Sequence, residues 1–257
     1  MYPKEILPGI DLYVIALALA IVSALVMFRI FADRVKINAK LQNLCIIGAA
    51  VSIIFGYFSA TFFQALYNIE KYGEFRIDSQ TGTTFYGGLI GGAAMFLLIY
   101  FIGGSRIFEE NREHIKSFFS IADIAAISIA VAHGFGRLGC LMAGCCYGKT
   151  TDKWFGIYMS ALDAKVVPIP LFEAIFLFAL GGICAYMLLH KKHGTLAYYM
   201  MFYGAWRFFI EYARADYRGT TIVSFLTPSQ LVAILMVIGG AVFSFVQERS
   251  YDDDEAI

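Results

Sequence analysis

The sequence predicts an all-α integral membrane protein, a bundle of about seven transmembrane helices, on three observations. The 257 residues are 59% hydrophobic and 16% charged, against roughly half and a quarter in soluble globular domains. Mean hydropathy is +0.67. Seven runs approach the roughly 20 apolar residues that span a bilayer: about 12–32, 43–68, 84–104, 117–136, 169–189, 195–213 and 224–247. They are continuously apolar, without the short alternation of lipid-facing strands, which excludes a barrel.

The first run follows a terminus with no basic n-region and no small-residue cleavage site, so it is read as a helix and not as a signal peptide. Short charged loops join the later runs, except at about 137–167, a long loop expected outside the cytoplasm. No polar stretch is long enough for a second core, so residues 1–257 are read as a single transmembrane domain. With the N-terminus outside, the cytoplasmic side collects ten positive residues: Arg29, Arg34, Lys36, Lys40, Arg106, Arg112, Lys116, Lys191, Lys192 and Arg249. The other side collects nine: Lys4, Lys71, Arg76, Arg137, Lys149, Lys153, Lys165, Arg214 and Arg218. Four of those nine lie in the one long loop, so the N-terminus is placed outside. Twenty basic and twenty acidic side chains cancel, leaving no basic field for nucleic acid. Five cysteines, an odd and clustered set, argue against a disulfide framework. Cys45 and Cys184, inside apolar runs, read as packing.

Charges inside spanning runs cost several kcal/mol on most estimates, so Asp123, Glu173, Arg207 and Glu211 are functional candidates. Arg207 and Glu211 stand i, i+4 on one face, with Arg214 a turn further on. Two readings remain: a neutralised structural clamp, or an anion site in which Glu211 fixes the guanidinium fork of Arg207. Three ionisable groups on one stripe favour the anion site.

The segment from His133 to Gly148 concentrates glycine at 134, 136, 139, 144 and 148 around Arg137. Such glycines are expected to break the helix near its end and admit a phosphate to backbone amides beside a planar cation. The alternative is close helix packing with Arg137 snorkelling to the interface. Cys140, Cys145 and Cys146 with His133 invite a zinc reading, but adjacent cysteines lack the usual two- to four-residue separation, so no metal is assigned. A third segment, Thr83 to Gly92, carries glycines at 87, 88, 91 and 92, a smooth face for a neighbouring helix or an acyl chain. Tyr86 at its head could donate a hydrogen bond or belong to an aromatic belt.

In this order these segments resemble the phosphatidylglycerol:prolipoprotein diacylglyceryl transferase family of bacterial inner membranes, over most of the chain. Gly136-Arg137-Leu138-Gly139, closing at Gly148, is similar to its signature, with Asp123 at a commonly acidic position before it. Pro168 to Glu173 is similar to its Pro-x-Gln-Leu-Tyr-Glu helix start. Tyr203, Arg207, Phe208, Glu211 and Arg214 match its Tyr-x-x-x-Arg-Phe-x-x-Glu-x-x-Arg stripe, and Tyr13 and Gln230 match a Tyr in its first helix and a Gln in its last. Two departures stand out. Tyr86 replaces a histidine held to help activate the acceptor thiol, and Cys140 and Cys145 replace an Asn and a Glu. A tyrosine with a pKa near 10 is a poor base at neutral pH.

The resemblance implies transfer of the diacylglyceryl group of phosphatidylglycerol to a lipobox cysteine in a prolipoprotein signal peptide, releasing glycerol phosphate. It implies a multi-pass protein of the bacterial cytoplasmic (inner) membrane with no metal or organic cofactor. On it, the catalytic set is Arg137, Arg207, Glu211, Tyr86 and His133, the last as the alternative base in place of the lost histidine. The substrate-binding set is Tyr13, Gly87, Gly88, Gly136, Gly139, Gly148, Tyr203 and Arg214. Two alternatives stay open: a phospholipid-dependent transferase with a different acceptor, and a non-catalytic lipid-binding membrane protein.

Overall fold

The computed structural model describes residues 6–7, 9–78, 80–160, 162–215 and 225–255. Lys4 and Arg218, both in the charge tally above, lie outside them. The regular elements among the described residues are helical apart from one small hairpin. Among the described residues six helical stretches are long and apolar enough to cross a membrane: Leu12–Val35, Ala39–Ile69, Phe85–Ile107, Phe118–Ala143, Ile169–Leu189 and Pro228–Tyr251. The run expected at 195–213 forms a shorter helix, Thr195–Ile210, that tightens into a 3₁₀ turn over Glu211–Ala213. The chain divides into two compact units, one of residues 35–118 and one of the remainder.

The unit of residues 35–118 contains α2 (Ala39–Tyr72), α3 (Phe85–Leu98), a π-helical turn (Ile99–Gly103), α4 (Gly104–Ile107) and α5 (Glu113–Lys116). Asn38 opens α2 by accepting the Lys40 amide, and Gly73 closes it in the left-handed region at φ 79°. α2 and α3 pack through small residues. A Cβ on Gly87 would stand 2.6 Å from the Phe63 Cβ, and one on Gly91 2.1 Å from Ser59 Oγ. The same Ser59 hydroxyl donates to the Gly87 carbonyl at 2.8 Å. The glycine face of α3 is therefore occupied by a helix, as the small-residue rule for apolar surroundings requires.

The other unit contains α1 (Leu12–Val35), α6 (Phe118–Ala143), a hairpin of β1 (Ile157–Met159) and β2 (Ala164–Val166), α7 (Ile169–Leu189), α8 (Thr195–Ile210) and α9 (Pro228–Glu255). The strands pair antiparallel with Tyr158 opposite Lys165. α8 and α9 approach closely at Gly204 and Gly240, whose Cβ atoms would meet the Ala233 carbonyl at 2.8 Å and the Ala197 carbonyl at 3.0 Å. Asp123, fully buried on α6, fixes the start of α8. Its carboxylate accepts the Gly194 and Leu196 amides at 3.0 and 3.2 Å and the Gln247 side-chain amide at 2.9 Å. An acidic side chain satisfying the first amides of a helix is both cap and dipole partner. The intramembrane charge of Asp123 thus has a structural purpose.

One expectation is corrected here. The glycines after His133 do not break the helix: α6 runs through Gly134, Gly136, Arg137 and Gly139 to Ala143, and the loop begins at Gly144, φ 72°. In an apolar setting an unwound backbone has no water to satisfy it, so the helix persists despite a glycine cost of roughly 1 kcal/mol each. Gly134 and Gly139 serve packing instead. Their Cβ atoms would stand 2.6 Å from the Phe178 ring and 3.2 Å from the Tyr13 ring. Arg137 consequently projects from a helix and not from a phosphate-binding turn.

Candidate active site

Three helices and one loop bring the buried charges of the second-described unit together. Glu173, in the first turns of α7 behind Pro168 and Pro170, has no solvent exposure. Its carboxylate lies 3.3 Å from Arg137 Nε on α6, 3.9 Å from Arg207 Nε on α8 and 3.8 Å from Arg214 Nη1 just past α8. Glu211 is the second acid of the cluster, 2.7 Å from Arg207 Nη2 and 3.8 Å from Arg214 Nε. The helical spacing of Arg207 and Glu211 sets the closer contact, and the 3₁₀ turn carries Arg214 round to the same side.

Polar side chains hold the ions in place. Arg207 Nη2 donates to Ser229 Oγ at 2.9 Å, and the Thr227 hydroxyl donates to Glu211 Oε1 at 3.1 Å. Gln230 Oε1 accepts the Thr227 amide, which fixes the turn into α9. Arg137 Nη2 donates to the Tyr203 hydroxyl at 3.3 Å, and that hydroxyl lies 3.3 Å from both Glu173 Oε1 and His133 Nε2. His133 Nδ1 meets the Tyr199 hydroxyl at 3.1 Å. If Tyr203 donates to Glu173, the network closes with Nε2–H of His133 donating to Tyr203 and Nδ1 accepting from Tyr199. Both ring nitrogens are then engaged.

Among the described residues, three guanidinium groups against two carboxylates leave one net positive charge in a buried cluster. A neutral clamp needs equal numbers, and burying an uncompensated charge costs several kcal/mol. Arg207 Nη1 is buried without a hydrogen-bond partner among the described residues. An excess cation and an unsatisfied donor are what an anion would complete.

The loop after α6 returns to this cluster. Gly148 bridges Arg214 in antiparallel fashion, and the Lys149 amide donates to the Ala213 carbonyl at 2.9 Å. A Cβ on Gly148 would lie 2.7 Å from that carbonyl, so only glycine allows the approach. Hydrogen bonds from Cys140 and Cys145, with Arg214 behind them, hold the Cys146 thiol well below its usual range.

Of the residues singled out in the sequence, Arg137, His133, Tyr203, Arg207, Glu211 and Arg214 meet in one network. Tyr13, about 40% exposed on α1, packs against Gly139, and the position of Gly136 faces open space. Tyr86, Gly87 and Gly88 belong to the other unit, where Gly87 and Gly88 lie against α2 and the Tyr86 ring meets Phe85 edge to face. Glu173, the hub, stood out in the sequence as a charge in a spanning run and as the end of the Pro168-to-Glu173 motif, but neither signal names its partners. Ser229, Thr227 and Tyr199 carried no signal, since hydroxyls in apolar runs are common.

The family model for prolipoprotein diacylglyceryl transferase matches residues 5–246. A relative from Clostridium perfringens, phosphatidylglycerol--prolipoprotein diacylglyceryl transferase 2, is 37% identical over 170 residues, 63% of this chain and 61% of that protein. Phosphatidylglycerol--prolipoprotein diacylglyceryl transferase of Clostridium tetani is 32% identical over 189 residues, 71% of this chain and 70% of that protein. The protein of the same name from Pseudomonas putida is 28% identical over 169 residues, 62% and 58% of the two chains. The chain thus spans about three fifths of the length of the first and last of these. A match over nearly its whole length makes the chain a member of the prolipoprotein diacylglyceryl transferase family.

Proposed function

We propose that this protein transfers the diacylglyceryl group of phosphatidylglycerol to the cysteine thiol of a prolipoprotein signal peptide and releases glycerol phosphate. The single observation that carries the reading is the buried cluster of Arg137, Arg207 and Arg214 around Glu173 and Glu211, one positive charge in excess among the described residues. In the reaction the acceptor sulfur, as thiolate, forms a bond to the glyceryl carbon that bears the phosphodiester. The carbon–oxygen bond breaks, and its electron pair stays on the phosphate oxygen that departs with glycerol. Negative charge therefore grows on the phosphate, and fixed guanidinium donors stabilise it without reorganising.

Arg137 and Arg207 are the catalytic cations in this scheme, Arg214 a binding cation, and Glu211 and Glu173 hold their forks. Tyr203 and Tyr13 line the head-group side, Gly136 leaves space for lipid, and Gly139 and Gly148 let Tyr13 and the Ala213 carbonyl approach. His133, with both nitrogens committed to tyrosines, is a positioning residue in this scheme and not the base. Gly87 and Gly88 hold α3 against α2, and Tyr86 is given no step in this scheme. The protein is read as one membrane domain in the bacterial inner membrane with its N-terminus outside.

The test uses purified protein with phosphatidylglycerol and a lipobox peptide, following glycerol phosphate and peptide mass together. Both signals are expected, and both should vanish without the peptide cysteine. Tyr86 in place of a histidine favours one other reading, a different acceptor. Glycerol phosphate release independent of the peptide would support that reading instead.

A further inference from the structure

Cys140, Cys145 and Cys146 form the one group of three or more potential metal ligands among the described residues, with all three sulfurs within 4.8 Å of one another. Spacing along the chain argued against a metal, but that rule assumes a regular knuckle. Here α6 ends at Ala143 and Gly144 turns the chain into the left-handed region. The Cys145 amide then donates to the Cys140 carbonyl at 3.1 Å, which folds the vicinal pair back over the helix end. Cys146 itself adopts φ 60°, a conformation costing a non-glycine residue roughly 1 kcal/mol. None of the three is in a disulfide. We propose that Cys140, Cys145 and Cys146 form a three-thiolate site for a thiophilic metal ion of the zinc class, with its fourth coordination position open.

Three sulfurs about 2.3 Å from a tetrahedral zinc ion lie roughly 3.8 Å apart, so side-chain rotation alone closes the observed cluster. A divalent ion with three thiolates carries one net negative charge, next to Arg214, the cation the site shares with Glu173 and Glu211. Cys145 is exposed while Cys140 and Cys146 are half-buried, so one side of the cluster is accessible to a fourth ligand. Three protein ligands with an open position are the pattern of a catalytic metal, and a thiol that coordinates such an ion loses its proton. Resting on the transferase reading, the fourth ligand is the acceptor cysteine. Its proton passes to solvent, the metal-held thiolate sulfur bonds to the glyceryl carbon, and the resulting thioether, a weak ligand, dissociates. Arg214 links the thiol cluster to the phosphate site, which sets nucleophile and leaving group side by side. A base is then unnecessary, and the lost histidine at position 86 is accounted for.

The experiment titrates the full-length, reduced, metal-stripped protein with cobalt(II) alone and follows the sulfur-to-metal charge-transfer band. One equivalent per chain is expected, with the band lowered by about a third in each of C140S, C145S and C146S, and abolished in the triple variant, all melting with the parent. No band, or an undiminished band in the three variants, overturns the site. Adding N-acetylcysteine amide to the cobalt protein should raise the band by about a third, and no rise overturns the open position. If the metal binds as described but no lipobox peptide is modified, the site stands and the transferase reading falls. If the triple variant modifies peptide at the parental rate, the assignment of the metal to thiol activation falls.

Discussion

Replacing Glu173 by Gln removes the carboxylate that Arg137, Arg207 and Arg214 share, which among the described residues leaves three guanidinium groups with Glu211 and raises the buried excess from one positive charge to two. Breaking a buried ion pair by removing one partner costs about 3–5 kcal/mol, and Glu173, with no exposure, has no water to substitute for it. At roughly 2–4 °C per kcal/mol for a chain of this size, the melting temperature in detergent should fall by about 6–20 °C. The extra positive charge makes a second prediction: phosphate should restore more stability to E173Q than to the parent. Turnover should drop about 100-fold, since the forks of Arg137 and Arg207 lose their common anchor. A thermal-shift titration with and without phosphate, alongside the glycerol phosphate assay, reads all three. An E173Q protein that melts within 2 °C of the parent with the same phosphate response would refute the charge reasoning.

R207K keeps a charge but loses the planar fork that meets Glu211 and Ser229, so activity should fall about 10²- to 10³-fold, measured as glycerol phosphate release. D123N removes the anionic cap of α8 and should lower stability by about 1–3 kcal/mol while leaving KM unchanged, by melting and by steady-state kinetics. Y86F and Y86H should both leave peptide modification at the parental rate, since thiol activation does not depend on position 86; a rise in Y86H would show that a missing base limits the rate.

The helical class was legible because the bilayer requires long apolar runs, and six of the seven expected runs reach spanning length. The Arg207, Glu211 and Arg214 stripe was legible too, because helical spacing pairs Arg207 with Glu211, although a 3₁₀ turn is what carries Arg214 to the same side. Glu173 was legible as an intramembrane charge closing the Pro168-to-Glu173 motif, but not as the hub of the site. Its three partners come from α6 and from α8 and its end, and tertiary approach is invisible to local periodicity. The run of glycines near Arg137 misled, since glycine propensity measured in water overstates helix breaking where backbone groups have no alternative partners. The cysteine cluster was hidden for the opposite reason. A left-handed turn at Gly144 and Cys146, which spacing rules do not anticipate, brings together sulfurs that a straight helix would separate.

The transferase chemistry is tested most directly by phosphatidylglycerol carrying heavy oxygen in the bridge between the lipid glyceryl carbon and phosphorus, incubated with the protein and a lipobox peptide. Attack of sulfur on carbon, with Arg137, Arg207 and Arg214 receiving the charge, predicts all the heavy oxygen in released glycerol phosphate and none in the lipid moiety on the modified peptide. Heavy oxygen retained on released diacylglycerol, which requires cleavage at phosphorus, would contradict it.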